Sequence, residues 1–536
     1  MRIRCMALIP LCLLLSLSTG CGGGGASTIT APTPDFNLAV SPSAVSSEVG
    51  GTTSAVTVTV TPQNGFSGVV SVVLQGIPAG VTALPAATFT VTAGARQSVT
   101  FSVSGGTGVG TSPVLVQATS GALSHSAQVM LTVEAIVHTY LSGTRLYLES
   151  GTTADIARIS LETLWGGSIV EISVNGTEFV NRHDTGREVQ PSYRDGDNLN
   201  YNPTLGGDNF DQGTPTLSYA LDSNSLYIKA QPLQWNADLY GGGQGHPIPG
   251  DVLVEQTVTA VTSEAHTFKV HIKATHLGND FHTNTGQEFP AVYTNRDYVR
   301  FVSYTGIVPW TNGPVTVVPQ LPNLGGAFAS YYISERWGAL VNSQNQGLSV
   351  YVPSVTPYMT GFSAIANSDP SQNGPNDDPT NYFAPLGNLT IGPGFVFEGD
   401  FYLIAGDVNV ARQIIYRLHQ NLTIPVIFTG FGTIDQPGAG AVVSGTILVS
   451  GWAFADVGNV AKVEVLVDNM TDGTANYGTP RPDVQKVYPD APVNVGFSYS
   501  LDTTKNHNGP HTLNVRATDT SGNIAVFPTA TIIVSN

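Results

Sequence analysis

The sequence predicts an all-β chain in which a large central stack of sheets is flanked by two smaller sandwiches. Three observations carry that prediction. Bursts of alternating apolar and small polar residues recur along the chain, as in AVTVTVTP and SVTFSVSGG, and a period of two buries one face of a strand. The 536 residues include 59 glycines and 34 prolines but only 11% charged side chains, a composition of turns and sheets and not of disorder. Only one segment, DVNVARQIIYRLHQN, reads as a helix, with Val410, Ile414 and Leu418 on one face and Asp407 or Asn409 as its cap.

Residues 1–20 read as an export signal: Arg2 and Arg4, an apolar run from Met6 to Leu17, then small residues. LSTGC, ending at Cys21, resembles the lipobox of bacterial lipoproteins, in which the cysteine becomes the lipidated first residue of the mature chain. Leu17 stands four places before Cys21, where the commonest pattern has its aliphatic residue three before. The alternative is an ordinary signal peptide cut nearby. Gly22 to Gly25 and TITAPTP make residues 21–34 a tether, as a lipid-anchored domain requires. Gly22 is not the Asp associated with inner-membrane retention, so the resemblance implies the cell envelope, at the outer membrane or cell surface.

Cys5, Cys12 and Cys21 are the only cysteines, so a chain beginning at Cys21 has no disulfide, thiolate metal site or cysteine nucleophile. The net charge of −17 becomes −19 once Arg2 and Arg4 are removed, which argues against nucleic acid as a partner. No later apolar run approaches the roughly 18 residues of a spanning helix, so the membrane is expected to be met through the lipid anchor only.

Residues 35–135 contain seven alternating bursts punctuated by Gly or Pro, which predicts an immunoglobulin-like sandwich. GFSGVVSVVLQGIPAGV resembles Ig-like modules of bacterial surface proteins, and nothing in this unit suggests chemistry. Residues 430–536 read as a second sandwich with Trp452 as a core anchor, and GWAFAD with GPHTLNVRATDTSGN resembles another bacterial Ig-like module. Asp456, Asp468, Asp472 and Asp519 are either turn formers or ligands of a structural calcium. No other cofactor is expected.

Residues 136–429 have a different texture, with most of the tyrosines, tryptophans and histidines and long polar loops, which suggests large sheets stacked face to face. GGSIVEISVNGTEFVN, residues 166–181, predicts a strand, a hairpin turn at Asn175 and Gly176 and a second strand. That layout resembles the opening of galactose-mutarotase-like domains, and QEFPAVYTN, residues 287–295, is similar to a stretch of aldose epimerases. The resemblance implies a β-supersandwich that meets carbohydrate. The family's catalytic glutamate position, two before the glutamine, is Thr285 here, and NPT at 202–204 is followed by Leu205 and not by Asn-His. Ordinary epimerase activity is therefore not implied.

No GxSxG elbow, HExxH or Walker loop is present, and GGGQG at 241–245 is followed by Pro247 and Pro249 where a phosphate cradle needs a helix. The densest polar stretch is NRHDTGREVQPSYRDGD, residues 181–197, where seven of seventeen residues are charged. Sugars are held by bidentate and amide side chains beside aromatic rings, and Arg187, Gln190 and Tyr193 fit that inventory, with Asp184 placed to orient Arg187. A structural Asp-to-Arg turn latch is the alternative. Glu288, beside Tyr293 and Arg296, is the candidate general base, and His246 or His282 a candidate proton carrier. Glu335, Arg336 and Trp337 offer a charged pair and an aromatic platform, although Trp337 also suits a core. No histidine pair has metal-ligand spacing, so no metal site is expected. Three functions compete: a sugar-active hydrolase, lyase or epimerase, a non-catalytic glycan-binding module, and a structural or adhesive envelope protein.

Overall fold

The computed structural model describes residues 32–536 apart from 182–187, 194–202, 207–211, 235–246, 280–281, 307–308, 319–320, 323–328, 354–357, 364–380, 423–429, 456–458, 469, 489–490, 521–523 and 528–529. The chain is all-β, with an Ig-like sandwich, a large two-sheet supersandwich and a C-terminal Ig-like sandwich.

In the first sandwich a four-stranded sheet faces a five-stranded one, and Phe36, Val58, Val72, Val116 and Leu131 fill the space between them. The two strands beyond the seven expected are Ala44–Glu48, which runs parallel to Leu123–Glu134, and Val81–Leu84. Both are short, five and four residues, too few to show the sustained alternation that exposes a strand in sequence.

In the central unit the described strands of one sheet include, in order, Arg145–Gly151, Ile156–Glu162, Ser168–Val174, Val189–Ser192, His282–Thr294 and Asn381–Ile391. The second sheet is centred on Val252–Ala260, Thr267–His276 and Val396–Asp407. Ile159, Ile172, Val189, Phe289, Val292 and Phe383 of the first sheet meet Ile228, Val258, Val270, Phe401 and Leu403 of the second in one core. The hairpin forms as the sequence predicts: Val174 pairs with Thr177, and Asn175 and Gly176 take φ of 50° and 81°, the type I′ geometry that suits a two-residue loop. The twin glycine has a packing reason, since a Cβ on Gly167 would lie 2.2 Å from Ile228 Cγ2 of the facing sheet.

The helix spans Val408–Asn421, and Asp407 caps it by accepting from the N–H groups of Asn409 and Val410. Its phase differs from the sequence expectation. Val408, Ala411, Arg412, Ile414 and Ile415 are buried, whereas Val410 is 57% exposed. The reason is a charged residue inside the buried stripe. Arg412 pairs with Glu335, which is wholly buried, and a hydrophobicity pattern places an arginine on the solvent side.

The C-terminal unit has its core around Val449, Val465, Phe497, Leu513 and Phe527. Trp452 is not part of it, which corrects the expectation of a core anchor. It stacks outside that core with Phe454 and Tyr488, over Val484 of a short helix, Pro482–Val487, inserted between strands.

Candidate functional site

Paired residues on neighbouring strands share a face, so the registers of the first large sheet show what stands on its outer side. Tyr147 pairs with Ser160 and Ser160 with Glu171. Arg145 pairs with Glu162 and Glu162 with Ser168. Farther across the sheet, Gln190 pairs with Ala291 and Tyr293 with Tyr382, and the Tyr293 N–H is donated to the Glu188 carbonyl. The intervening residues Ile159, Ile172, Val189, Val292 and Phe383 all enter the inter-sheet core. The outer face therefore carries a polar band, and an aromatic pair interrupts it where the Glu288 strand meets the Tyr382 strand.

Glu288 lies on that outer side, because its neighbour Phe289 is in the core. Its carboxylate accepts a hydrogen bond from the Tyr382 hydroxyl at 2.5 Å. The Tyr382 ring lies 5.0 Å from that of Tyr293. The register of the two strands shifts between Glu288 and Val292, an irregularity of the kind that re-aims a side chain beside a site. Glu288 and Tyr293 are partly exposed, whereas Glu188, Gln190 and Tyr382 are buried. The Gln190 side-chain carbonyl accepts from the Gly206 N–H at 2.8 Å, so this residue holds a neighbouring turn. Arg296 is half-buried just beyond the end of the Glu288 strand.

On the near side of the band Arg158 reaches Glu149 at 2.6 Å and Glu171 at 3.5 Å. Tyr140 donates to Glu149 at 3.0 Å and stacks on Tyr147. The Arg158 guanidinium and the Tyr140 hydroxyl hold the Glu149 carboxyl below its ordinary value against the opposing effect of its partial burial, which is the largest single influence.

Two residues proposed from sequence do not belong to this face. Tyr193 turns into the inter-sheet core, edge-on to Phe289 at 5.8 Å, and burial pushes its phenol far up. Its hydroxyl has no partner among the described residues. Trp337 is wholly buried on the far side of the second sheet, against the helix, where its indole N–H is donated to Glu335 at 2.8 Å. A ring enclosed on all sides offers no platform to a sugar. Glu335 and Arg336 share that location: Glu335 binds Arg412, and Arg336 donates to the Pro353 carbonyl at 2.7 Å.

Asp184, Arg187 and His246 lie outside the described residues, as do Cys21, Asp456 and the side chain of His282. Asp468 accepts from His511 and Thr512, and Asp472 from Tyr499. Among the described residues no group of three His, Cys, Asp or Glu side chains is arranged to hold a metal ion.

Sequence reasoning missed Glu188 and Tyr382. Glu188 sits inside the charged stretch already singled out, and its alternation with the core residue Val189 was the available signal. Tyr382 lies 94 residues from Glu288, and only strand pairing joins them.

Residues 431–515 match the family of bacterial Ig domains. No curated protein sequence matches the chain. Among solved structures, an assigned aldose 1-epimerase from Klebsiella pneumoniae is similar over 59% of this chain and 90% of its own, at 11% identity and a TM-score of 0.30. Fibronectin(III)-like modules of CbhA from Clostridium thermocellum match 47% of this chain and 86% of theirs, at 13% identity and a TM-score of 0.16. An endo-β-1,4-mannanase from Thermotoga petrophila matches at 15% identity and a TM-score of 0.16, and this chain spans about a quarter of that enzyme, 24%. With TM-scores this low, none of the three bears on activity.

Proposed function

We propose that the protein is a surface lipoprotein, anchored through Cys21, that binds a carbohydrate on the outer face of its first large sheet, with Glu288 as the candidate general base. The observation that carries this reading is the partly exposed Glu288 carboxylate, oriented by the hydroxyl of Tyr382, whose ring in turn packs against that of Tyr293. A carboxylate held by a tyrosine that packs against a second, partly exposed tyrosine supplies the acceptor and the apolar surface that a sugar ring uses together. One such group can accept a proton from a sugar hydroxyl. Hydrolysis by the usual glycosidase route needs a second carboxyl group across the bound ring; Glu188, on the same face at the start of the adjacent strand, lies beside Tyr293 and is buried.

The test is a glycan array together with a reducing-sugar assay on the full chain. Glu288→Ala is expected to weaken binding about ten- to a hundredfold, the equivalent of one charge-assisted hydrogen bond. Glu288→Gln separates catalysis from capture, because loss of a general base abolishes turnover and leaves much of the binding. Asp184→Ala and Arg187→Ala ask whether the charged segment contributes to affinity or acts as a latch, in which case the melting temperature falls.

The second reading is an adhesive or structural envelope protein without turnover. The bacterial Ig domain at 431–515 favours it, as does the burial of Tyr382 and Ala384 on the face in question. Absence of binding and turnover across a broad panel supports this second reading against the first.

A further inference from the structure

Ala291, Tyr382 and Ala384 form a small cluster with Tyr293 on the outer side of the first large sheet, and they are 2%, 1% and 0% exposed. The inter-sheet core lies on the other side of these strands, through Val292 and Phe383. Something outside the sheet must therefore cover the cluster. Two strands of the C-terminal domain, Gly430–Gln436 and Ile524–Val526, come against the Tyr382 strand, the second also against the Glu288 strand, with Cα atoms within 8 Å. Stacked sheets ordinarily stand about 10 Å apart. A closer approach needs small side chains in between, and the outer face offers alanine at 291 and 384 where its neighbours are tyrosines.

From this we infer that the C-terminal Ig-like domain is seated on the outer face of the Glu288 and Tyr382 strands and forms one wall of the candidate site, so that access to Glu288 runs along the boundary between two domains. The inference concerns the same site as the proposed function, but its geometry holds whether or not a sugar binds there. It makes this domain part of the site.

The test uses the full chain and needs no ligand. Ala384→Arg and, separately, Ala291→Arg place a long charged side chain under the seated domain while leaving the inter-sheet core untouched. Hydroxyl-radical footprinting read by mass spectrometry is expected to show Tyr382 protected in the wild type and labelled at least fivefold more in either variant. Small-angle scattering is expected to fit a seated C-terminal domain in the wild type and a detached one in the variants. Folded variants with unchanged Tyr382 labelling would overturn the inference. If both variants unfold, wild-type scattering decides: a seated domain supports the inference and a freely swinging one refutes it. Failure of every glycan assay with Tyr382 still protected would sink the carbohydrate reading and leave the seating intact.

Discussion

Removing Glu335 should be among the most damaging single changes in the central unit. Its wholly buried carboxylate accepts from the Trp310 N–H at 3.0 Å, the Trp337 indole at 2.8 Å and the Tyr416 hydroxyl at 2.5 Å. It also accepts from Arg412 Nε at 3.2 Å and Nη2 at 3.0 Å. Arg412, 5% exposed, lies 5.2 Å from the centres of the Tyr304 and Tyr416 rings. Glu335→Ala leaves that guanidinium buried without its counter-charge, and breaking a buried pair in this way costs about 3–5 kcal/mol. The folded-to-unfolded ratio should drop by about two to four powers of ten. Arg412→Ala should cost a similar amount, and the double variant should lose less than the sum by roughly 1–3 kcal/mol, because each single change already forfeits the shared interaction. Urea unfolding followed by tryptophan fluorescence reads this directly, since Trp310 and Trp337 sit in the cluster. A single-variant loss below about 1 kcal/mol, or strictly additive losses, would refute the idea that this pair clamps the helix to the second sheet.

Tyr382→Phe should leave the fold intact and lower glycan affinity or turnover about tenfold, because the Glu288 carboxylate loses its fixed donor; wild-type behaviour in the array and assay would contradict this. His271 bonds Asp400 at 2.7 Å, and that bond raises its pKa above 6.5. The protonated ring is therefore favoured in the folded state, and its stabilisation is complete below about 6.5 and fades as pH rises through the raised folded value. Denaturation midpoints of wild type and His271→Gln should converge between neutral and mildly alkaline pH, and a gap independent of pH would exclude the effect. Cys21→Ser should release the protein from the membrane fraction and remove the lipid mass from its mature terminus; continued membrane retention would rule out the anchor.

Much of the architecture was legible because it is written locally. Alternation in AVTVTVTP and turn chemistry at Asn175 and Gly176 are properties of a few consecutive residues, and the sheets and hairpin follow from them. The candidate site was legible only in part. Glu288 was recognisable from its neighbours, but its partner Tyr382 is brought to it by pairing between strands distant in sequence, which no local pattern records. Trp337 and Tyr193 failed for a related reason. An aromatic residue in a strand reads the same whether its face meets solvent or a second sheet, and a buried indole satisfied by Glu335 looks in sequence like an available platform. Arg412 misled in the opposite sense, since its buried position depends on a carboxylate 77 residues away.

A single residue, Ala135, separates the last strand of the first sandwich, Leu123–Glu134, from the first strand of the central sheet, Ile136–Ser142. Its N–H is donated to the Thr262 carbonyl at 2.8 Å, and a second fastening joins the Thr153 hydroxyl to the Gly105 carbonyl at 3.0 Å. Two fixed points make a strut where one would make a hinge. For a chain held by its N-terminal end, drag on the central unit passes straight into the first sandwich with no slack to take up, and the first sandwich then acts as a rigid stand-off. Lengthening the segment around Ala135 should loosen the aim of the central unit without touching either core.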